Sequence, residues 1–209
     1  MAESAFRLAI ASEAPSFGVK LDSGVVEQFC SHYELLVTWN RKLNLTRIVE
    51  PSEAARFHFL ESAFLSTLIA SPAAKGGRVV DVGSGAGFPG LPLACVWKDC
   101  EVVLVEPSGK RAVFLKEAIR KLGLRSVKVL NERFSADLIA RSDVLVTRAL
   151  DGLEKELEAI VTSRASTVAL YTDPTILELA QRLSEDRETT ITEIPGSKNR
   201  RIGLLSRRD

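Results

Sequence analysis

The sequence has few of the features that mark secreted, membrane or metal-binding proteins. Its 209 residues include three cysteines and two histidines. The cysteines, Cys30, Cys95 and Cys100, show neither the CxxC spacing of a zinc site nor a disulfide framework, so we expect a reducing compartment and no metal. No segment approaches the roughly 20 apolar residues that a membrane span requires.

The N-terminal stretch also lacks the pattern of a secretion signal. Residues Met1 to Ile10 are mildly apolar, but they contain Glu3 and Arg7 and have no basic head. We therefore expect a cytoplasmic protein with no membrane partner.

Positive and negative charges almost cancel. The chain carries 28 Lys and Arg against 27 Asp and Glu, a formal net charge of +1, which excludes a histone-like basic tail and an acidic disordered activator. Hydrophobic residues make up 45% of the chain, with 13 Gly and 8 Pro, which excludes collagenous and low-complexity proteins. A chain of this size and composition is expected to form one globular unit.

The first 75 residues have a helical pattern. Between Asp22 and Arg47, apolar residues recur at spacings of three, four and seven, which places them on one face of a helix. Pro51 opens a second helical pattern that ends before Ser71 and Pro72. We expect a helical N-terminal extension over residues 1–75.

The rest of the chain, residues 76–209, alternates short β-branched runs with helical patterns. The predicted strands are Arg78 to Val82, Glu101 to Glu106, Val127 to Asn131, Val144 to Thr147, Thr167 to Tyr171, Thr189 to Ile194 and Ile202 to Ser206. The predicted helices are Leu91 to Lys98, Lys110 to Leu122, Ala136 to Arg141, Leu153 to Thr162 and Pro174 to Leu183. This order predicts an α/β fold with a doubly wound, mostly parallel, seven-stranded sheet. The last two strands have no helix between them and are compatible with a hairpin.

A glycine-rich stretch follows the first predicted strand. It reads Val-Val-Asp-Val-Gly-Ser-Gly-Ala-Gly-Phe-Pro-Gly from Val79 to Gly90. A turn without side chains lets a ligand approach the backbone, and a helix N-terminus carries free N–H groups and partial positive charge. A nucleotide-like cofactor is therefore expected at Gly83, Ser84, Gly85 and Gly87.

Two cofactor classes compete for this turn, because its glycines also satisfy the dinucleotide pattern GxGxxG. Asp81 at the end of the first strand favours S-adenosylmethionine, which is cationic, over a diphosphate. Charges about 4 Å apart interact by roughly 4 kcal/mol at an effective dielectric near 20. Glu106 stands where ribose hydroxyls are bound in either class. The alternatives are a helix-capping role for Asp81 and a solvated turn at Glu106.

Further candidates lie after the third and fourth strands. Phe134 and Ser135 are expected to flank an adenine ring, and Arg148 is expected at the switch point of the sheet, as a cofactor-orienting and catalytic residue. A salt bridge with a local carboxylate is the structural alternative for Arg148.

Several motifs together resemble the RsmG (GidB) family of guanine-N7 methyltransferases of small-subunit (16S) ribosomal RNA. They are Trp39 to Thr46, His58 with Glu61 and Ser62, Asp81 to Ala94, and Lys110 with Arg111, Phe114 and Leu115. The resemblance is clear from Tyr33 to Leu122 and thinner to Ala149. It implies a class I methyltransferase fold, S-adenosylmethionine as cofactor and a ribosomal RNA or ribosomal particle as partner.

Carried over by motif, the cofactor contacts of the family fall on Gly83, Phe88, the Phe134-Ser135 position and Arg148. The sequence departs from the family at three places: Ser135 replaces an acidic residue, Tyr171-Thr172 replaces Lys-Gly, and Phe57 replaces a basic residue.

Guanine N7 has a free lone pair, so methyl transfer to it needs no general base. Alignment of the reacting atoms can then supply most of the catalysis, with effective molarities of about 10⁵ M or more. The sequence accordingly shows no evident His/Asp or Cys/His pair. We expect His32 to be a solvated helix residue and His58 either to pack in the helix or to contact RNA.

Three basic or amide-rich stretches are candidates for contact with RNA phosphates. They are residues 40–47, Lys110 with Arg111, and residues 198–209. The candidate RNA contacts are Asn40, Lys42, Asn44, His58, Lys198, Arg200 and Arg201. A merely solvated face is the alternative for each stretch. Because duplex RNA hides N7 in a narrow groove, the target guanine is expected to be unpaired.

Three functions remain open from the residues. The first is an RsmG-like methyltransferase, acting as a monomer. The second is a diverged member of the fold that binds cofactor or RNA without this activity, or methylates another RNA. The third is a nicotinamide-dependent oxidoreductase, which rests on GxGxxG alone.

Overall fold

The N-terminal third of the chain is helical, as the periodicity predicts. The computed structural model describes residues 2–135, 142–148 and 153–208. Its first helices are α1 (Ala2–Glu13), α2 (Ser23–Leu43), α3 (Pro51–Ala54) and α4 (Glu61–Leu68), with 3₁₀ turns at Ala14–Phe17 and Pro72–Lys75. A π-helical segment, Ala55–Leu60, makes α3 and α4 continuous.

The ends of α2 have local causes. The Asp22 carboxylate accepts a hydrogen bond from the Val25 N–H at 2.9 Å and caps the first turn. Asn44 adopts φ 49° and ends the helix in the left-handed conformation, which asparagine tolerates. The helix is therefore shorter than the predicted stretch, which extends to Arg47.

The remainder forms the predicted doubly wound sheet. Its strands are β1 (Arg78–Val82), β2 (Glu101–Val105), β3 (Val127–Leu130), β4 (Val144–Arg148), β5 (Thr167–Thr172), β6 (Arg187–Glu193) and β7 (Arg201–Arg207). Its helices are α5 (Gly90–Val96), α6 (Gly109–Leu122), α7 (Leu153–Val161) and α8 (Pro174–Leu183). The predicted helix over 136–141 lies outside the described residues.

The strand order is β3-β2-β1-β4-β5-β7-β6, with β1 to β5 parallel and β7 antiparallel to both neighbours. The α/β prediction and the hairpin between the last two strands are confirmed. The order reverses direction between β1 and β4, and ligands of such sheets bind at the carboxyl ends of the strands at this switch point.

Alternation along β1 assigns its side chains to two hydrophobic layers. Val80 and Val82 belong to the layer that α7 and α8 cover, while Val79 belongs to the layer formed with α1 to α6. Asp81 shares its face with Val79 and therefore lies beneath the N-terminal helices. The buried Phe29 and Phe59 belong to the same cluster as Val79, so the helical N-terminal segment packs on one face of the sheet.

The described residues contain neither a membrane-spanning helix nor a cluster of metal-binding side chains. No helix in these ranges has the length and hydropathy needed to cross a bilayer. Within the same ranges, no group of three or more His, Cys, Asp or Glu side chains is arranged to hold a metal ion.

Candidate functional site

The glycine turn between β1 and α5 uses its own N–H groups internally. The donors are the amides of Gly83, Ser84, Gly85, Gly87, Phe88 and Gly90, and the acceptors are Val105, Glu106, Ser84 and Asp81. Among the described residues, the carbonyl oxygens of Gly83 and Gly85 accept no hydrogen bond. The turn therefore offers acceptors, and few donors, to a ligand.

Positive φ values explain why glycine is needed in this turn. Gly83, Gly85 and Gly87 have φ of 74°, 55° and 90°, a region that other residues rarely adopt. A Cβ on Gly87 would also overlap a Leu91 methyl carbon. The turn is thus closed tightly over the start of α5.

Asp81 takes the capping role that was the alternative interpretation. It has no exposed surface, and its Oδ2 accepts the Gly90 N–H at 3.0 Å at the first residue of α5. Burial raises the pKa of Asp81 to about 7, against the effect of the Gly90 hydrogen bond. Its Oδ1 accepts no hydrogen bond from the described residues, and a direct ionic contact between Asp81 and a cofactor stays a prediction.

Glu106 is buried as well, not in a solvated turn. One carboxylate oxygen accepts the Gly85 N–H at 2.9 Å and the other accepts the Ser108 N–H at 2.8 Å. Glu106 therefore joins the glycine turn to the start of α6. A carboxylate has about four lone-pair sites, so each oxygen can still accept a further hydrogen bond.

Two cavities meet at Gly83. The larger, about 270 Å³, is lined by Leu45, Thr46, His58, Gly83, Ser84, Gly85, Ala86, Phe88, Arg111 and Arg148. The smaller, about 220 Å³, is lined by Val82, Gly83, Val105, Pro107, Arg133, Phe134 and Glu156. An elongated ligand that crosses Gly83 would occupy both. Ser135 is exposed beside Phe134 and lines neither cavity.

Both histidines of the chain stack on Phe88. The ring centroids lie 4.9 Å apart for His32 and 4.7 Å apart for His58, with interplanar angles of 19° and 15°. His32 is buried, and its Nε2 donates to the Ala86 carbonyl at 3.0 Å. The expectation that His32 is solvated was wrong, because its ring fixes the glycine turn from α2.

Arg148 and His58 meet in the wall of the larger cavity. From the end of β4, Arg148 donates to His58 Nδ1 and to the Phe57 carbonyl, each at 2.9 Å. Arginine only donates hydrogen bonds, so Nδ1 of His58 carries no proton and Nε2 carries it. His58 Nε2 lies 2.9 Å from Thr46 Oγ1, which is therefore the acceptor of that N–H.

The buried carboxylate of Glu61 lies next to Arg148. Glu61 Oε2 lies 3.7 Å from Arg148 Nη1, and Glu61 Oε1 accepts from Arg200 at 2.9 Å. The salt bridge that was the alternative for Arg148 is thus present, although Arg148 also lines the cavity. Burial raises the pKa of Glu61, and the two arginines oppose that rise.

The candidate RNA contacts divide into structural and free groups. Asn40 bonds both the N–H and the carbonyl of Thr46, and Asn44 ends α2, so both have structural roles. Arg201 pairs with Glu193 at 2.8 Å. With Arg200 held by Glu61, the arginines of the last hairpin are engaged within the protein.

Lys42 and Lys198 remain available for contact with RNA phosphates. Both are exposed, and neither forms an ion pair within the described residues. They lie on the same edge of the sheet as the cavities, because the β6–β7 turn and the end of α2 both reach the carboxyl ends of the parallel strands.

Sequence reasoning missed the roles of Glu61, Thr46 and His32. The spacing of His32 from Phe29 and Leu36 places it on the buried face of α2, which was an available signal. Glu61 stands in the apolar run Phe-His-Phe-Leu-Glu-Ser-Ala-Phe-Leu, where a lone acid requires a buried partner. Its partners, Arg200 and Arg148, come from the β6–β7 turn and from β4 and cannot be identified from spacing.

The two histidines should remain neutral in mildly acidic solution. Burial lowers the pKa of His32 to about 4 and, together with the Arg148 charge, that of His58 to about 3. We expect long-range ¹H–¹⁵N spectra to show both rings as Nε2–H tautomers at pH 5.5. The same chain in urea is the control, and its histidines should titrate near 6.5. A folded-state transition above pH 6 for either ring would contradict this assignment.

The sequence of this chain is similar to those of one protein family. Residues 25–171 match the GidB family, described as rRNA small subunit methyltransferase G. A "Ribosomal RNA small subunit methyltransferase G" from Thermoanaerobacter sp. (strain X514) is 38% identical over 150 residues, which are 69% of this chain and 62% of that protein. A protein of the same name from Roseiflexus castenholzii is 38% identical over 152 residues, 73% and 59% of the two chains. The chain thus spans about 60% of the length of these relatives.

Solved structures agree on the fold. An S-adenosylmethionine-dependent methyltransferase from Aquifex aeolicus superposes with a TM-score of 0.59 at 18% identity, over 78% of this chain and 96% of that one. The METTL16 methyltransferase domain gives a TM-score of 0.58 at 15% identity, over 97% and 92% of the two chains. The family match covers most of the chain, including the glycine turn, His58 and Arg148, and the chain therefore belongs to the GidB family of the methyltransferase fold.

Proposed function

We propose that the chain is an S-adenosylmethionine-dependent methyltransferase that modifies N7 of a guanine in small-subunit (16S) ribosomal RNA. The observation that carries this proposal is the glycine turn, which has its amides engaged, its carbonyls free and a cavity on each side of Gly83. The names of the GidB relatives support the ribosomal RNA substrate.

The residues around the turn fit this cofactor better than a dinucleotide. A diphosphate needs free N–H donors, whereas the turn donates its own to the protein. Free carbonyl oxygens at Gly83 and Gly85 suit a cationic amino group. Asp81 is buried, with a pKa of about 7, and its carboxylate holds the end of the turn through the Gly90 N–H.

The parts of the cofactor can be assigned to residues by chemistry. Glu106 has lone pairs left for ribose hydroxyls, and Phe134 provides an apolar wall of the smaller cavity for an adenine ring. Gly83, Gly85 and Phe88 line the larger cavity beside His58 and Arg148. In this proposal residues 76–209 hold the cofactor, and the helical segment 1–75 completes the cavity through Thr46 and His58.

When bound, S-adenosylmethionine supplies a methyl group on sulfur, which N7 accepts through its lone pair as the carbon–sulfur bond breaks and sulfur keeps the bonding electrons. The protein removes no proton. Its residues position the base and add no net positive charge beside it. His58 is neutral, and the carboxylate of Glu61 balances the charge of Arg148. Rigid placement of these groups is what alignment catalysis requires.

The RNA is proposed to approach the cavity edge of the sheet. Exposed cations there have no ion pair within the described residues: Arg41, Lys42, Arg47, Lys110 and Lys198. Contacts of this kind hold phosphates with little sequence preference. Because N7 must enter a cavity, the target guanine is unpaired or splayed out.

Product mapping tests the function directly. We expect ³H-methyl transfer from S-adenosylmethionine to small ribosomal subunits that lack the modification, with the label recovered as 7-methylguanosine after digestion. A GidB relative acting on the same particles is the positive control. Binding of S-adenosylmethionine without any labelled product would favour the non-methylating alternative, and thermal stabilisation by NAD alone would favour the oxidoreductase.

Glu106→Gln should weaken S-adenosylmethionine binding by about 10-fold or more. The new side-chain NH₂ group must face either the Gly85 or the Ser108 N–H, so one backbone donor loses its acceptor. Calorimetric titration measures the affinity. Glu101→Gln, at the other end of β2, is the matched control and should bind normally. Equal affinities for the two variants would refute the role of Glu106.

Charge reversal at Lys42 and Lys110 should weaken RNA binding. Each lost phosphate contact reduces the magnitude of the slope of log affinity against log salt concentration by about 1. The slope of the double Glu variant should therefore be smaller in magnitude by about 2. Arg164→Glu with Arg208→Glu, two exposed cations at the opposite edge of the sheet, makes the same charge change as a control. Equal losses of RNA affinity in the two double variants would contradict binding of the RNA at the cavity edge.

A further inference from the structure

Two hydrogen-bond donors fix the orientation of the Thr46 hydroxyl group. It accepts a hydrogen bond from the Ile48 N–H at 3.0 Å and one from His58 Nε2–H at 2.9 Å. A hydroxyl group has two lone pairs and one hydrogen. With both lone pairs engaged, its hydrogen is left as a donor, and no residue in the described ranges accepts it.

The orientation of the Thr46 hydroxyl depends on three buried residues, His58, Arg148 and Glu61. Arg148 fixes the tautomer of His58 by donating to Nδ1, and Glu61 lies behind the guanidinium at 3.7 Å. If the tautomer were reversed, Thr46 would have to donate to His58 and would have no hydrogen for a ligand. Glu61 and Arg148 therefore act on Thr46 as positioning residues, through His58.

The backbone of Thr46 is also held in place. The Asn40 amide accepts from the Thr46 N–H at 2.9 Å and donates to the Thr46 carbonyl at 3.0 Å. Thr46 lines the larger cavity together with Gly83 and Phe88. The result is a preorganised donor in the wall of the larger cavity, where the acceptor base would have to meet the methyl group.

The edge of guanine that carries N7 also carries the carbonyl oxygen O6, so both neighbouring groups are acceptors. Adenine carries an amino group beside N7, so the Thr46 hydroxyl and this amino group would both be donors and could not bond to each other. We propose that the Thr46 hydroxyl donates to O6 of the target guanine and so selects guanine over adenine. This inference rests on the proposed N7 methylation.

The test compares bases with and without O6 as substrates of the wild type and two Thr46 variants. Small-subunit RNA is prepared by ligation with guanine, inosine or 2-aminopurine at the mapped position, the last of which keeps N7 but lacks O6. Methyl transfer is measured as kcat/KM for the wild type, Thr46→Val and Thr46→Ser. Because 2-aminopurine leaves the buried hydroxyl donor unpaired, we expect roughly a 5- to 150-fold preference for the bases that carry O6.

We expect the wild type and Thr46→Ser to prefer guanine and inosine over 2-aminopurine by this factor. Thr46→Val should reduce the preference to less than about 3-fold by slowing the two O6-containing substrates. A general disturbance of the site lowers all rates together and leaves the ratio unchanged. An unchanged ratio in Thr46→Val, with active wild type, would therefore overturn the Thr46 assignment alone.

A wild-type chain that places no methyl group on guanine N7 would overturn the proposed function, and the O6 assignment with it. The two failures are thus distinguishable. Calorimetry of S-adenosylmethionine binding to each variant gives the cofactor concentration that saturates it, so that the base preferences are compared at equal cofactor occupancy.

Discussion

The contact between Arg148 and His58 is the interaction on which the site depends. It joins the end of β4 to the π-helical segment, two parts of the chain separated by 90 residues, at 2.9 Å. Because arginine can only donate, the contact fixes the proton of His58, and His58 in turn fixes the Thr46 hydroxyl. Glu61 balances the guanidinium charge inside the protein, where an isolated cation would be costly.

The same region explains how a GxGxxG-like turn can serve a cofactor without phosphates. Two buried carboxylates, Asp81 and Glu106, accept N–H groups of the turn and of the helix that follows it. His32 and His58 enclose Phe88 from both sides. The turn is therefore held rigidly by the protein itself, and what it presents to a ligand is carbonyl oxygen.

The departures from the family pattern also have structural explanations. Tyr171, where Lys-Gly is usual, is buried, and its hydroxyl donates to the Ser62 carbonyl at 3.0 Å. Phe57 contributes its carbonyl to Arg148, a contact that any residue at this position could make. Ser135 is exposed and lines neither cavity. None of the three changes the groups around Gly83.

The sequence by itself determined the order of helices and strands, since periodicity and turn residues act over short distances. It also determined the glycine turn, and its motifs identified the family. Only the tertiary structure decided which polar groups are exposed. His32 was expected to be solvated and is buried, as are Asp81 and Glu106, while Arg200 turns inward to the buried Glu61. Hydrogen-bond partners such as Arg148 and His58 are brought together by packing of a helix on a sheet, and no local pattern encodes a contact across 90 residues.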